Sequence, residues 1–299
     1  MTTQMEIAAD SRPVVTSRAS DFFELTKPRM NLLVVTTTMV GFYMAARGWA
    51  DWMRLPATLI GTAFSASGAS VLNQVVERGR DGLMPRTRNR PLPTRRMSAS
   101  QALGYGLGLV IGGIALLAFL VNPLTAALSA FTVASYVLVY TPLKPRTTWN
   151  TLVGALPGAI PPVMGWTAVR GHLGAEPMVL LAILFLWQIP HFMAIAILYR
   201  QDYAAAGFKM LPVVDHDLAV TGRHIVLFSA ALIAASALPT FLGMTGQPYF
   251  VLAVLMGLAF LAFGMECATN GSRPQARNLF LASIIYLPLL LAIMMFYRI

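Results

Sequence analysis

The sequence predicts an all-α polytopic membrane protein, nine transmembrane helices around a central cavity. Of its 299 residues, 57% are apolar and only 11% charged, against about a quarter charged in soluble domains. The mean hydropathy is +0.65. The apolar residues fall into repeated runs of roughly 20, the length an α-helix needs to cross the hydrocarbon core of a bilayer. An ordinary soluble enzyme is thereby excluded. The single cysteine, Cys267, cannot form an intramolecular disulfide and points to a core position.

Charges and turn residues bound spans over 32–46, 55–76, 102–121, 124–143, 149–169, 178–199, 225–244, 249–268 and 278–297. The first is short, and Pro28, suited to the first position of a helix, predicts an earlier start. Residues 1–24 read as a polar cytoplasmic tail and 25–299 as one membrane domain. The first 20 residues lack the apolar core of a signal peptide, and their acids do not suit a mitochondrial presequence. The second span carries Gly61, Ser65, Gly68 and Ser70 among other small residues, which predicts close helix packing. Gly104, Gly106 and Gly108 in the third read the same way. Pro157, Pro161, Pro162 and Pro190 should interrupt or kink the fifth and sixth spans and open a pocket between them, lined by Trp166 and Trp187.

Basic loops stay in the cytoplasm, and 18 of the 22 Lys and Arg fall on the side that carries the N-terminus. The N-terminus is therefore placed in the cytoplasm and the C-terminus in the periplasm of a bacterial inner membrane. The net charge of +10 suits anionic lipid or phosphate, with nucleic acid no partner for a chain so apolar. Of 12 carboxylates only Asp51 and Glu176 lie in outer loops, so the cytoplasmic face is the expected chemical face.

At the cytoplasmic end of the second span, Asn73, Glu77 and Asp81 recur every four residues and share one helix face. Mg²⁺ takes oxygen ligands and often bridges one or two carboxylates to phosphates. Arg86 and Arg90 follow closely, and guanidinium groups hold phosphate oxygens through paired hydrogen bonds. The spacing alone serves equally for salt bridges at a helix end beside a solvated basic loop.

The run from Asn73 to Leu92 resembles the first signature of the UbiA superfamily of intramembrane prenyltransferases, N-x-x-x-D-x-x-x-D followed by R-T-x-x-R-P-L. Glu77 replaces the first aspartate. Leu25-Thr-Lys27-Pro28-Arg29, Tyr140-Thr-Pro-Leu-Lys144-Pro-Arg146-Thr147, Trp187-Gln-Ile-Pro190-His191-Phe192 and Asp202 to Pro212 resemble the protohaem IX farnesyltransferases within it. The match covers about 25–213. It implies farnesyl transfer from farnesyl diphosphate to a vinyl group of protohaem IX with addition of water, giving haem O and diphosphate. It further implies Mg²⁺ on Asn73, Glu77, Asp81 and Asp202; diphosphate contacts from Lys27, Arg86, Arg90, Lys144 and Lys209; and association with a downstream haem A synthase or terminal-oxidase assembly. A second complete D-x-x-x-D is absent, since Ala206 stands four residues after Asp202.

His191 lies inside the sixth span, where an ionisable group points to function. It is read as orienting haem, ligating its iron or accepting a proton, with a structural hydrogen bond as the plain alternative. His172, His216 and His224 are read as loop residues. A prenyltransferase with an aromatic acceptor shares the same signature. A transporter or haem-binding module is the alternative from a different class.

Overall fold

The computed structural model describes residues 17–299; the first 16 residues of the expected tail lie outside the described residues. The next are helical. Ser17 caps α1 (Arg18–Leu25), its Oγ accepting from the Ser20 amide. Lys27, with a left-handed φ of 50°, turns the chain into α2 (Pro28–Ala45), which starts at Pro28 as expected. Then follow α3 (Trp49–Trp52), α4 (Leu55–Asp81) and α5 (Ala99–Leu120), the last opened by a reciprocal Ser98–Gln101 cap. Helix α6 (Pro123–Ala134) continues through a π-helical segment, Ser135–Tyr140, into α7 (Thr141–Leu143). Helices α8 (Asn150–Ala159) and α9 (Pro161–Arg170) share one span. Beyond them lie α10 (Ala175–Leu198), α11 (Arg200–Ala205), α12 (Leu211–Val214), α13 (Ala219–Phe241), α14 (Gln247–Asn270) and α15 (Arg273–Phe296).

Among the described residues eight spans are long and apolar enough to cross a membrane, not the nine expected. The remaining rod is α2, where Arg29, Asn31 and three consecutive threonines dilute the apolar content. The fifth span breaks at Ile160, between its prolines, whereas Pro190 sits inside the continuous α10. His224 lies in α13 rather than a loop. Its Nδ1 lies 2.8 Å from the Val220 carbonyl, the contact available one turn back along a helix.

Glycine sets how closely the rods approach. A Cβ at Gly165 would overlap the Thr38 carbonyl, and one at Gly41 would overlap the Pro162 backbone, so α2 and α9 touch main chain to main chain. On α4, Gly61 and Gly68 meet the α5 surface around Gly113 and Gly106. Gly104 and Gly108 face open space; of the three expected packing glycines on α5, only Gly106 packs. The most buried spans are α8–α9 and α10. Around them a single apolar core joins Leu180, Ile183 and Met193 of α10 to Tyr249 of α14 and to Leu287 and Leu290 of α15, and Cys267 belongs to it as expected. At the end remote from Asp81 the last helix is tied to the first. Arg298 donates to the Tyr43 and Ala46 carbonyls, and Arg47 donates to the Ile299 carbonyl at 2.6 Å.

Gly165→Ala should lower the unfolding temperature in detergent, since forced overpacking costs ~1–3 kcal/mol. Gly104→Ala should leave it unchanged. Equal behaviour of the two variants in a thermal melt would refute the proposed main-chain contact.

Candidate active site

The site grows from the last turns of α4, which run past the expected end at 76 and so carry polar side chains out of the apolar bundle on one rigid rod. Asn73, Glu77 and Asp81 are all buried, on the single face that their spacing dictates. Buried acids require partners, and each has one from a different loop. Glu77 Oε1 lies 2.7 Å from Lys144 Nζ. Asp81 Oδ2 accepts from Arg90 Nη1 at 2.9 Å. Asn73 accepts from Lys27 Nζ at 3.2 Å and donates to Thr141 Oγ1 at 3.1 Å.

Local structure holds these groups in place. Thr87 Oγ1 donates to the Asp81 carbonyl at 2.6 Å, folding the α4–α5 loop back on the helix end. Gln74 donates to the Leu25 carbonyl at 2.7 Å, and Asn31 donates to Ser67 Oγ at 2.9 Å; both fix Lys27 beside α4. The Arg86 guanidinium lies 4.6 Å from the Tyr203 ring centroid and 4.9 Å from that of Tyr199, with its Nε 3.8 Å from Asp202. It bridges the α4–α5 loop to the segment after α10. Lys209 joins through its backbone: its amide donates to the Lys144 carbonyl at 2.8 Å, and its carbonyl accepts from Asn150 Nδ2 at 2.9 Å. Its side chain is exposed.

Burial first, and then the Arg90 and Lys144 charges, pull the Lys27 ammonium down to about 7. Burial works the same way on Lys144, but the Glu77 carboxylate more than offsets it and the net shift is upward. Lys144 thus stays charged and Lys27 is the readily neutralised cation.

No three acidic, histidine or cysteine side chains converge at metal-ligating range among the described residues. Glu77, Asp81 and Asp202 are divided among Lys144, Arg90 and Arg86. Their donor chemistry nevertheless fits a hard divalent ion: two buried carboxylates and an amide oxygen on one face, each held now by a cation able to move onto a bound anion.

A cavity of about 300 Å³ lies within the bundle next to this cluster, within the range of small-molecule sites. Tyr140 connects the two: it lines the cavity, and Lys144 Nζ lies 4.7 Å from its ring centroid. Gly154 gives that ring room, since a Cβ there would overlap it. Pro157, Pro161 and Trp187 line the cavity as expected, but Trp166 does not, being buried in the core on the far side of its helix.

His191 lies apart from the charged cluster, on the cavity wall, stacked on Trp187 at 4.8 Å and on Phe280 at 5.2 Å. Its Nδ1 is 2.7 Å from Ser283 Oγ, and that hydroxyl donates to the Phe280 carbonyl at 2.5 Å. With its proton committed, Ser283 accepts from Nδ1–H. The network therefore assigns the bare lone pair to His191 Nε2. Two residues of this neighbourhood escaped the sequence reading, Gln188 on the cavity wall and Ser283 buried behind His191. Gln188, three residues before His191, carried the signal of an amide within an apolar span. Ser283 carried none, a small residue in a span read by hydropathy alone.

A family model described as the UbiA prenyltransferase family matches residues 34–295. The chain belongs to that family. Protoheme IX farnesyltransferase of Solibacter usitatus is 47% identical over 93% of this chain and 98% of its own length. That of Koribacter versatilis is 44% identical over 96% of each. Among solved UbiA-fold structures, digeranylgeranylglyceryl phosphate synthase superposes with a TM-score of 0.77 at 15% identity, over 93% of this chain and 98% of the other. A UbiA homologue from Archaeoglobus fulgidus bound to DMAPP and Mg²⁺ superposes with 0.66 at 16% identity, over 92% and 99%. These two fix the fold.

Lys144→Met strands the Glu77 carboxylate and should cost ~3–5 kcal/mol of stability. Adding Glu77→Gln should recover most of that. A double-mutant cycle of melting temperatures with no coupling between positions 77 and 144 would dissolve the pair.

Proposed function

We propose that this protein transfers the farnesyl group of farnesyl diphosphate to a vinyl carbon of protohaem IX, giving haem O and diphosphate. The observation that carries the reading is a cavity that His191 lines and that meets the charged cluster through Tyr140, in a chain 41–47% identical to protoheme IX farnesyltransferases. The cavity's apolar walls suit an isoprenoid and a porphyrin; diphosphate requires the charged mouth.

The chain's residues divide the work. Lys27, Arg90 and Lys144, assisted by Arg86 and Lys209, bind the diphosphate oxygens as a preorganised set of donors. Asn73, Glu77 and Asp81, once released from those cations, would hold Mg²⁺, with Asp202 as a further oxygen donor. When bound, Mg²⁺ neutralises charge that accumulates on the leaving diphosphate, and the Archaeoglobus homologue carries Mg²⁺ with a prenyl diphosphate. The C–O electron pair departs with diphosphate. The faces of Tyr136 and Tyr140, both on the cavity wall, stabilise the allylic cation by cation–π attraction. The vinyl carbon attacks that cation, and water captures the new cation beside the porphyrin. His191 Nε2, with its free lone pair, takes the proton that water loses. Since 18 of the 22 basic residues lie on the side of this cluster, the mouth faces the cytoplasm of a bacterial inner membrane and the C-terminus the periplasm.

Purified protein supplied with farnesyl diphosphate, haem B and Mg²⁺ should yield haem O by mass spectrometry, and chelation should stop it. Asp81→Ala should lower turnover by ~10²–10³, the scale of removing one charge-stabilising group. Unaltered turnover and unaltered Mg²⁺ dependence in that variant would overturn the assignment of the cluster. His191→Ala should reduce turnover while diphosphate binding persists; a normal rate together with normal haem affinity would leave His191 a packing residue.

A further inference from the structure

The reaction adds a water molecule, and that water must wait for a cation formed on the acceptor. It must also be denied to the allylic cation formed earlier at the charged end. A second polar side chain stands where such a water would be held. Gln188 is only 6% exposed yet lines the cavity. Its Nε2 is committed to the wall, donating to the Leu184 carbonyl at 3.0 Å and the Ala155 carbonyl at 3.4 Å. That orientation presents Oε1, which has no hydrogen-bond donor from the described residues, toward Gly158. Gly158 is itself a wall residue, and a Cβ there would overlap Oε1. A carbonyl oxygen without a donor in an apolar cavity wall is costly, and water is its natural partner.

Gln188 and His191 are three residues apart on α10, so they share a helix face with Cβ atoms about 5–6 Å apart. Two acceptors on neighbouring positions of one cavity wall, Gln188 Oε1 and His191 Nε2, suit one bridging water that donates a proton to each. Both its protons are then occupied and its lone pairs face the cavity.

We propose that Gln188 is the positioning residue for the nucleophilic water of this reaction. The proposal rests on the farnesyl-transfer reading above. Gln188 Oε1 holds one O–H while the other lies on His191 Nε2. The water oxygen forms the C–O bond to the cation beside the porphyrin, the proton passes to Nε2, and Oε1 retains its hydrogen bond to the new hydroxyl. Without this hold the same cation loses a proton from the adjacent carbon and becomes an alkene, a product lighter by one water.

The test is product partition in labelled water. Full-length protein with farnesyl diphosphate, haem B and Mg²⁺ in H₂¹⁸O should give prenylated haem carrying one ¹⁸O. In Gln188→Leu the ratio of hydroxylated to alkene product should fall ~tenfold, the worth of one hydrogen bond to the captured water. Gln188→Glu keeps a carbonyl oxygen and should restore the ratio. Gly158→Ala retains the amide but displaces Oε1, and should shift the partition in the same direction even where Gln188→Leu does not accumulate. A wild-type ratio in both Gln188→Leu and Gly158→Ala overturns the positioning role. Wild-type protein that releases no prenylated haem at all overturns the farnesyl-transfer reading instead, so the two failures are distinguishable.

Discussion

A carboxylate at the mouth of an apolar bundle cannot stand alone. Removing a charge from water costs several kcal/mol unless an opposite charge and further hydrogen bonds replace the solvent. Glu77 and Asp81 are buried to 6% and 1% exposure, and that constraint organises everything near them. It accounts for Lys144 lying 2.7 Å from Glu77 although 67 residues separate the two. It also accounts for the α4–α5 loop curling back to deliver Arg90. The same constraint keeps the site ready for chemistry. Each acid is neutralised by a cation of the kind that suits phosphate, so on the proposed reading a metal-bound diphosphate would replace every pair by two new ones, acid to metal and base to phosphate, and strand no charge.

Such an exchange demands rods that do not drift, and lipid supplies no hydrophobic force between helices. Here the stiffness comes from main-chain contact. Gly165 against Thr38 and Gly41 against Pro162 fix α2 to α9, which fixes Lys27 at the start of α2 relative to the wall made by α8 and α9. Gly154 does the same for the Tyr140 ring. At the far end the Arg298 and Arg47 hydrogen bonds join the last helix to the first. Ser283 of α15 therefore stays in register with His191 of α10, and the histidine tautomer depends on that register.

Periodicities and lengths were legible in the sequence; partnerships were not. Hydropathy located eight spans, because a bilayer imposes its own thickness on any helix that crosses it. The first expected span, α2, falls short of these eight in apolar content, since two of its threonines are spent inside the bundle: Thr37 and Thr38 are 2% and 0% exposed. The four-residue spacing of Asn73, Glu77 and Asp81 placed them on one face, since helical geometry is local. That Glu77 pairs with Lys144 and Asp81 with Arg90 is decided by the meeting of distant loops, and no local pattern encodes it. The glycines of α5 show the same limit. Gly104, Gly106 and Gly108 are alike in sequence, yet only Gly106 faces α4, because residues two apart on a helix point in different directions. Ser283 illustrates it most sharply, a serine in an apolar span whose role exists only through His191.

The distribution of polar atoms along the cavity bears on the order of events. An allylic cation released near Lys144 would be destroyed by any water beside it, and enclosed sites exist in part to prevent such side reactions. Several hydroxyls of the cavity wall already have partners within the protein, though Thr62 Oγ1 does not. Ser129 donates to Ser65 Oγ, Thr37 to the Val34 carbonyl and Thr132 to the Leu128 carbonyl. Tyr136 and Tyr140 present ring faces to the same space. The acceptors left without a donor on the α10 wall, His191 Nε2 and Gln188 Oε1, stand on a different helix from Tyr140 and the Lys144 ammonium beside it. On the proposed reading, a cation generated beside Lys144 meets the adjacent Tyr140 ring, while water held by the α10 acceptors waits until the carbon–carbon bond has moved the positive charge onto the acceptor. Placement of the aromatic rings and the water acceptors on different helices of one cavity would then keep apart two reactions that compete if mixed.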